Sequence, residues 1–251
     1  KAKNIWGLLL NDKKKISGFS LAEALVAIVI GMISVAAIFF TYQTFNKAYK
    51  SVESRGEMNS NARNALSHMS RELRNAGNKD INWVHSSLEE YLWKENNVSG
   101  FLIGTDKLKF YYDNSPNDRV RIDYHLKKYK NSNDTYLART YMVQNCTAAN
   151  KCTSPISIID QVFIENVEDF QVVFIDSKGD EVKPVNFERG KANQALVKTI
   201  EIYLTVRSRN KIYNTNKNWT IKNADQAYAK FDQYHRDSYF VSVYPRNIIK
   251  N

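Results

Sequence analysis

The sequence lacks the short signatures by which enzymes commonly hold a phosphate, a metal or an activated nucleophile. It contains no Gly-x-Gly-x-x-Gly, phosphate-binding loop, His-Glu-x-x-His, Gly-x-Ser-x-Gly or Cys-x-x-Cys. Carboxylates are plentiful on the expected strand faces and turns, yet no pair is marked out as acid and base. Catalysis by any of these routes is excluded, and no cofactor is expected. Histidine is sparse as well: His68, His85, His125 and His235 stand singly, so no metal-ligand set is expected. Cysteine is limited to Cys146 and Cys152, with five residues between them. That spacing suits a small disulfide loop in an oxidising compartment, or two free thiols.

The most informative absence is of charge. From Ala24 to Phe40 seventeen consecutive residues carry none, and a run of roughly 17 to 25 such residues is long enough to cross a bilayer. Lys13, Lys14 and Lys15 lie on one side of it, as a cytoplasmic flank requires. A secretory signal would place small residues after the run as a cleavage site, whereas Thr41-Tyr42-Gln43 leads into further helix. A plain single-pass anchor would leave the Gly18-Phe19 step and the lone carboxylate Glu23 without a purpose.

What is present accounts for those residues. The stretch Lys-Lys-Lys-Ile-Ser-Gly-Phe-Ser-Leu-Ala-Glu-Ala-Leu-Val-Ala-Ile, residues 13–28, resembles the class III signal of type IV prepilins and pseudopilins. The resemblance implies that a prepilin peptidase cuts after Gly18 on the cytoplasmic face and methylates the new terminal amine of Phe19. It also implies that Glu23 pairs with the terminal amine of a neighbouring subunit. The chain is then a substrate of a peptidase rather than a catalyst. Physics agrees, since a carboxylate at the edge of hydrocarbon costs a few kcal/mol unless it is paired or reaches water.

The fold this implies is α+β, a type IV pilin fold whose long N-terminal helix packs on an antiparallel sheet. Four segments are expected: a cleaved leader, 1–18; a transmembrane and assembly half-helix, 19–42; an amphipathic half-helix, 43–77; and a periplasmic head, 78–251. Net charge is +10 overall. The leader's five lysines and one aspartate give it +4, leaving +6 on the mature chain. Ile5 to Leu10 form an apolar cluster too short to span a membrane.

Beyond the run, Phe45, Ala48, Tyr49 and Val52 and then Ala62, Ala65, Leu66, Met69, Leu73 and Ala76 recur at helical spacing. The opposite face carries Arg63, Asn64, Ser67, Arg71, Glu72 and Arg74, and Gly77 supplies a stop. Gly31 and Gly56 are weak points, each either bending the helix or marking close packing. A short helix is expected over 87–96, its Trp93 used for packing. Strands are expected at 108–112 and 120–126 around a turn at 114–118, then at 136–143, 170–174, 200–206 and 239–244. Asp176 to Asp180 reads as a hairpin tip, and Ala224 to Tyr234 as a short amphipathic helix capped by Asn223.

A second resemblance is to PilW-like minor pilins. It rests on Ala62-Arg63-Asn64-Ala65-Leu66, Arg71 to Gly77, Asn166-Val167-Glu168-Asp169-Phe170 and Tyr244-Pro245-Arg246-Asn247. It implies a subunit that primes or caps a type IV pilus together with other minor and major pilins. It would be held first in the bacterial inner membrane and later displayed at the cell surface. The J-type pseudopilin of type II secretion is similar on the same residues. A subunit of a DNA-uptake pilus is the remaining alternative. Its basic patch would be Arg119, Arg121, Lys127, Lys128 and Lys130, with Tyr124 and Tyr129 available to stack on nucleic-acid bases.

Overall fold

The computed structural model describes residues 18–78, 92–95, 107–115, 118–147, 151–152, 156–182, 197–223 and 226–247. One helix, α1, runs unbroken over Leu21–Asn75. The chain divides into two compact units, residues 1–49 and 50–251.

In the first unit every residue from Gly18 to Phe45 is exposed. Its hydroxyls turn inward on the backbone: Ser34 Oγ donates to the Ile30 carbonyl at 2.9 Å, Thr41 Oγ1 to Ala37 at 2.8 Å and Thr44 Oγ1 to Phe40 at 2.9 Å. Ser34, the one side-chain donor between Ala24 and Phe40, is thus satisfied within the helix and leaves that run nothing unmet in an apolar surround.

In the second unit α1 buries Met58, Ala62, Ala65, Leu66, Met69 and Leu73. The first part of the expected stripe is not used there, because Val52 is 70% exposed; in the first unit Phe45 and Tyr49 are exposed too. Gly31 and Gly56 do not break the helix, and neither is closely approached: a Cβ at either position meets nothing within 4 Å. The helix ends where expected, at Gly77 with φ 75°. Its end joins the sheet through main chain. The Gly77 N–H donates to the Tyr111 carbonyl at 2.9 Å, and the Asp113 N–H to the Asn78 carbonyl at 2.9 Å.

Eleven strands follow among the described residues. The first sheet orders β1 (Leu92–Glu95), β2 (Lys107–Ser115), β3 (Asp118–Lys128) and β4 (Thr135–Thr147) side by side. The far edge of β4 pairs with β6 (Ile156–Glu165) and, at its end, with β5 (Lys151–Cys152). The second sheet orders β11 (Arg236–Val243), β8 (Thr199–Arg207) and β7 (Val167–Ile175), and β9 (Lys217–Asn223) forms a separate ribbon with β10 (Gln226–Asp232). All pairings are antiparallel. The chain passes from the first sheet to the second at Asn166 (φ 57°), a left-handed conformation that asparagine tolerates better than most side chains. Between the sheets and α1 lies one core, whose fully buried large residues include Tyr124, Phe110, Phe170, Phe174, Met69 and Leu73.

Four expectations need correction. Leu92–Glu95 is strand β1 rather than helix, because the free edge of β2 takes it in antiparallel register; the remainder of 87–96, with Trp83 and Tyr91, lies outside the described residues. The segment after Asn223 is strand β10, not helix. Its residues alternate, with Tyr228 half-buried and Phe231 exposed, and Asn223 ends β9 opposite Gln226 instead of capping. Strand β6 has no counterpart in the sequence reading, since Ile156-Ser157-Ile158-Ile159 shows no clean alternation. The even-numbered side of β3 is buried as expected, but the other side is not simply wet: Asp123 is 3% exposed and His125 half-buried. Strands β4 and β11 extend beyond the expected bounds, and the turn residues Pro116 and Asn117 fall outside the described set.

Candidate functional site

Gly18, Phe19 and Ser20 lie outside regular secondary structure at the foot of α1 and are exposed. Phe19 is 88% exposed. Ser20 is the helix cap. The Glu23 N–H donates to Ser20 Oγ at 3.2 Å, and the Ser20 N–H donates to Glu23 Oε2 at 2.9 Å. This reciprocal pair is a capping box, which satisfies two of the orphan donors at a helix start. The Ser-x-x-Glu spacing signals this cap in the sequence, where the prepilin resemblance implies only an intersubunit role for Glu23. The geometry gives it an intrachain role as well: its carboxylate is held at the positive end of α1 beside residue 20.

Cys146 and Cys152 are backbone partners in the β4–β5 pair. Directly opposed residues in an antiparallel pair have Cα atoms about 4.5–5.5 Å apart, within the span that a disulfide bridges.

The five basic residues proposed for nucleic acid are largely neutralised by the fold. Arg119 Nε lies 3.3 Å from Asp113 Oδ1, Arg121 pairs with Asp123, and Lys127 pairs with Asp160. Asp160 also meets His125 Nε2 at 3.1 Å. Lys128 and Lys130 are exposed, but Lys128 lies on the core-facing side of β3 at its end and Lys130 in the following turn. Tyr124 is fully buried and unable to stack on a base. Tyr129 packs against Tyr136, ring centroids 4.6 Å apart.

Other polar groups belong to the architecture. Arg236, 3% exposed, is gripped by Glu168 at 2.6 and 2.9 Å and by Asp232 at 2.6 Å. Burial alone would lower its affinity for a proton, but those carboxylates raise it above the ordinary guanidinium value. Asp176 accepts from the Lys178 and Asp180 N–H groups at 2.7 and 3.0 Å, so its turn is a hairpin tip. Among the described residues no three histidine, cysteine or carboxylate side chains form a set able to hold a metal.

Residues 13–39 match the family described as the prokaryotic N-terminal methylation motif. No curated protein matches the sequence. Among solved structures the fold is similar to a type IV-like pilin from Thermus thermophilus, at 12% identity and a TM-score of 0.47. That match covers 76% of this chain and 97% of the other. The chain therefore carries the prepilin-type methylation motif. That motif opens one long apolar helix, with antiparallel sheets behind it.

Proposed function

We propose that this chain is a minor pilin of the PilW-like kind, cut by a prepilin peptidase between Gly18 and Phe19 and methylated on Phe19. It is held by residues 19–42 in the inner membrane with its head, 78–251, in the periplasm, and it then primes or caps a type IV pilus. One observation supports this most directly. The motif feeds without interruption into a capped helix that is long and apolar enough to cross a membrane, and whose apolar side chains are exposed from Leu21 to Phe45.

Fibre stems would bury those side chains against each other. Burying one Leu, Ile or Phe is worth about 1.5–3 kcal/mol in water. Lipid already covers much of this surface before assembly, so the net gain rests on packing and on neutralising Glu23 with the amine of an adjacent pilin. The same reading has Cys146 and Cys152 joined in the oxidising periplasm; a thiol-reactive probe that labels them only after reduction checks this.

The test of the reading is intact-mass spectrometry of protein extracted from membranes. Loss of residues 1–18 and gain of one methyl group is expected. A mass that retains the leader contradicts it. Immunogold labelling is expected at pilus tips, and even labelling along the shaft would contradict the capping role.

A further inference from the structure

Where the segment between β8 and β11 meets α1, four side chains form a continuous hydrogen-bonded chain. Arg55 Nη2 donates to the Tyr213 hydroxyl at 3.2 Å, that hydroxyl lies 2.9 Å from His235 Nδ1, and His235 Nε2 lies 3.1 Å from Asp237 Oδ2. All four residues are half-buried. The main chain sets their places: the Tyr213 N–H donates to the Gln233 carbonyl at 3.0 Å, and the His235 N–H donates to Ser208 Oγ at 3.0 Å. The Trp219 ring stands nearly perpendicular to the imidazole, with centroids 5.3 Å apart.

The chain has one direction. A carboxylate only accepts, so Nε2 of the neutral ring carries the hydrogen and Nδ1 is the acceptor. The Tyr213 O–H then donates to Nδ1, and the Tyr213 oxygen receives Arg55. Every group is matched. A second proton on the ring turns Nδ1 into a donor and breaks the match: the Tyr213 oxygen must accept from two cations, and its own hydrogen loses its acceptor. Lys217 Nζ, 5.8 Å from the centre of the Tyr213 ring, adds to the positive charge on that side. Asp237 acts the other way, since it ion-pairs with a charged imidazole. It lies on β11, two residues from His235, so the pair holds the ring to its own strand and not to α1.

We propose that Arg55, Tyr213, His235 and Asp237 form a clasp between α1 and the segment 208–235 that opens in acid. Closed, it braces α1 at a weak place. Arg55 adjoins Gly56, glycine is among the poorest helix formers, and no atom lies within 4 Å of where a Cβ at 56 would stand. The buried face of the helix begins only beyond it, at Met58. Opened, that turn of α1 loses its side-chain tie to Tyr213. Among the described residues the groups about the imidazole and its phenol partner are Arg55 from α1, Tyr213 from the loop, Lys217 and Trp219 from β9 and Asp237 from β11, and of the charged ones only Asp237 favours the protonated ring. The clasp works the same way whether or not the chain caps a pilus.

The experiment is amide deuterium exchange of the full chain in detergent micelles, read by mass spectrometry and corrected for the intrinsic rate at each pH. It runs from about pH 7.5 to about 5.5, the span in which histidines as a class change charge and ordinary carboxylates do not. Peptides covering 53–58 and 208–216 should lose protection together as the pH falls, by about tenfold, the factor carried by one hydrogen bond to a charged group. H235F keeps a ring against Trp219 and should abolish the pH dependence. Y213F should exchange at the acid level across the whole range. D237N removes the anion that favours the proton and should displace the loss to lower pH. The proposal is overturned if wild-type protection is flat over this range, if only one of the two segments responds, or if H235F keeps the wild-type response. Should H235F fail to fold, D237N decides: a loss at the wild-type pH or above it overturns the clasp.

Discussion

Glu72 on α1 and Arg139 on β4 meet as a two-pronged ion pair, with Nη2 to Oε1 at 2.5 Å and Nε to Oε2 at 3.3 Å. The hydroxyl of the buried Tyr124 donates to the same carboxylate. Burial, then the Glu72 charge and its hydrogen bond, raise the Tyr124 phenol well above its ordinary value. The helix is thereby locked to the first sheet at one polar point inside an otherwise apolar contact. Glu72→Ala removes the acceptor for both donors. It should cost about 1.5–3 kcal/mol, the usual worth of hydrogen bonds to a charged group, in denaturant unfolding of the detergent-solubilised chain. A loss below about 0.5 kcal/mol, the low end for a neutral hydrogen bond, would mean that water replaces the pair.

The capping role of Glu23 and its proposed pairing with a neighbouring amine can be separated by chemistry. Glu23→Gln keeps an oxygen that accepts from the Ser20 N–H but removes the charge needed to neutralise a neighbouring amine. Ser20→Ala removes one half of the box, at about 1 kcal/mol of local helix stability, and leaves the charge. Incorporation into fibres should fall sharply for Glu23→Gln and only slightly for Ser20→Ala. Equal incorporation of Glu23→Gln and wild type would confine Glu23 to capping.

Two glycines near the head should respond with opposite signs. Gly56 is helical and open on all sides, so Gly56→Ala should stabilise by about 0.5–1 kcal/mol. Gly77 sits at φ 75°, where a Cβ is strained, so Gly77→Ala should destabilise by about 1–2 kcal/mol. Thermal melts of the two variants should move apart from the wild type in opposite directions.

Acid should loosen the β3–β6 contact. Burial lowers the His125 pKa below its ordinary 6.5, with the nearby Asp160 carboxylate opposing this only in part. The unfolded chain therefore binds a proton before the folded one does. The His125 contribution to stability is present above pH 6.5 and is lost as the pH falls below it. Unfolding free energies measured from pH 7.5 downward should decline, and His125→Asn should flatten that limb. An unchanged slope in the variant would assign the decline to other groups.

The main helix and most of the strands were legible because apolar spacing alone determined them. The buried residues from Met58 to Leu73 recur at helical spacing, and Ile122 and Ile202 sit in strands of alternating apolar and polar residues. Glu72 was misplaced because polarity assigned it to the wet face, and nothing local reports that Arg139, distant in sequence, waits to receive it. Tyr228 and Phe231 fit a helical stripe as well as an alternating one, and only the pairing of β10 with β9 decides between them. At the N-terminus the order of residues alone carries the methylation motif that spans residues 13–39. The cap formed by Ser20 needed only the Ser-x-x-Glu spacing to be read as local chemistry.

The junction of Gly77 and Asn78 with β2 has a mechanical meaning. Load along the end of α1 has a route into β2 through peptide groups at Tyr111 and Asp113, beside the side-chain tie from Glu72 to Arg139. Surface sequence at this end of the helix can therefore drift widely while the route of load stays the same, provided position 77 remains free of a Cβ.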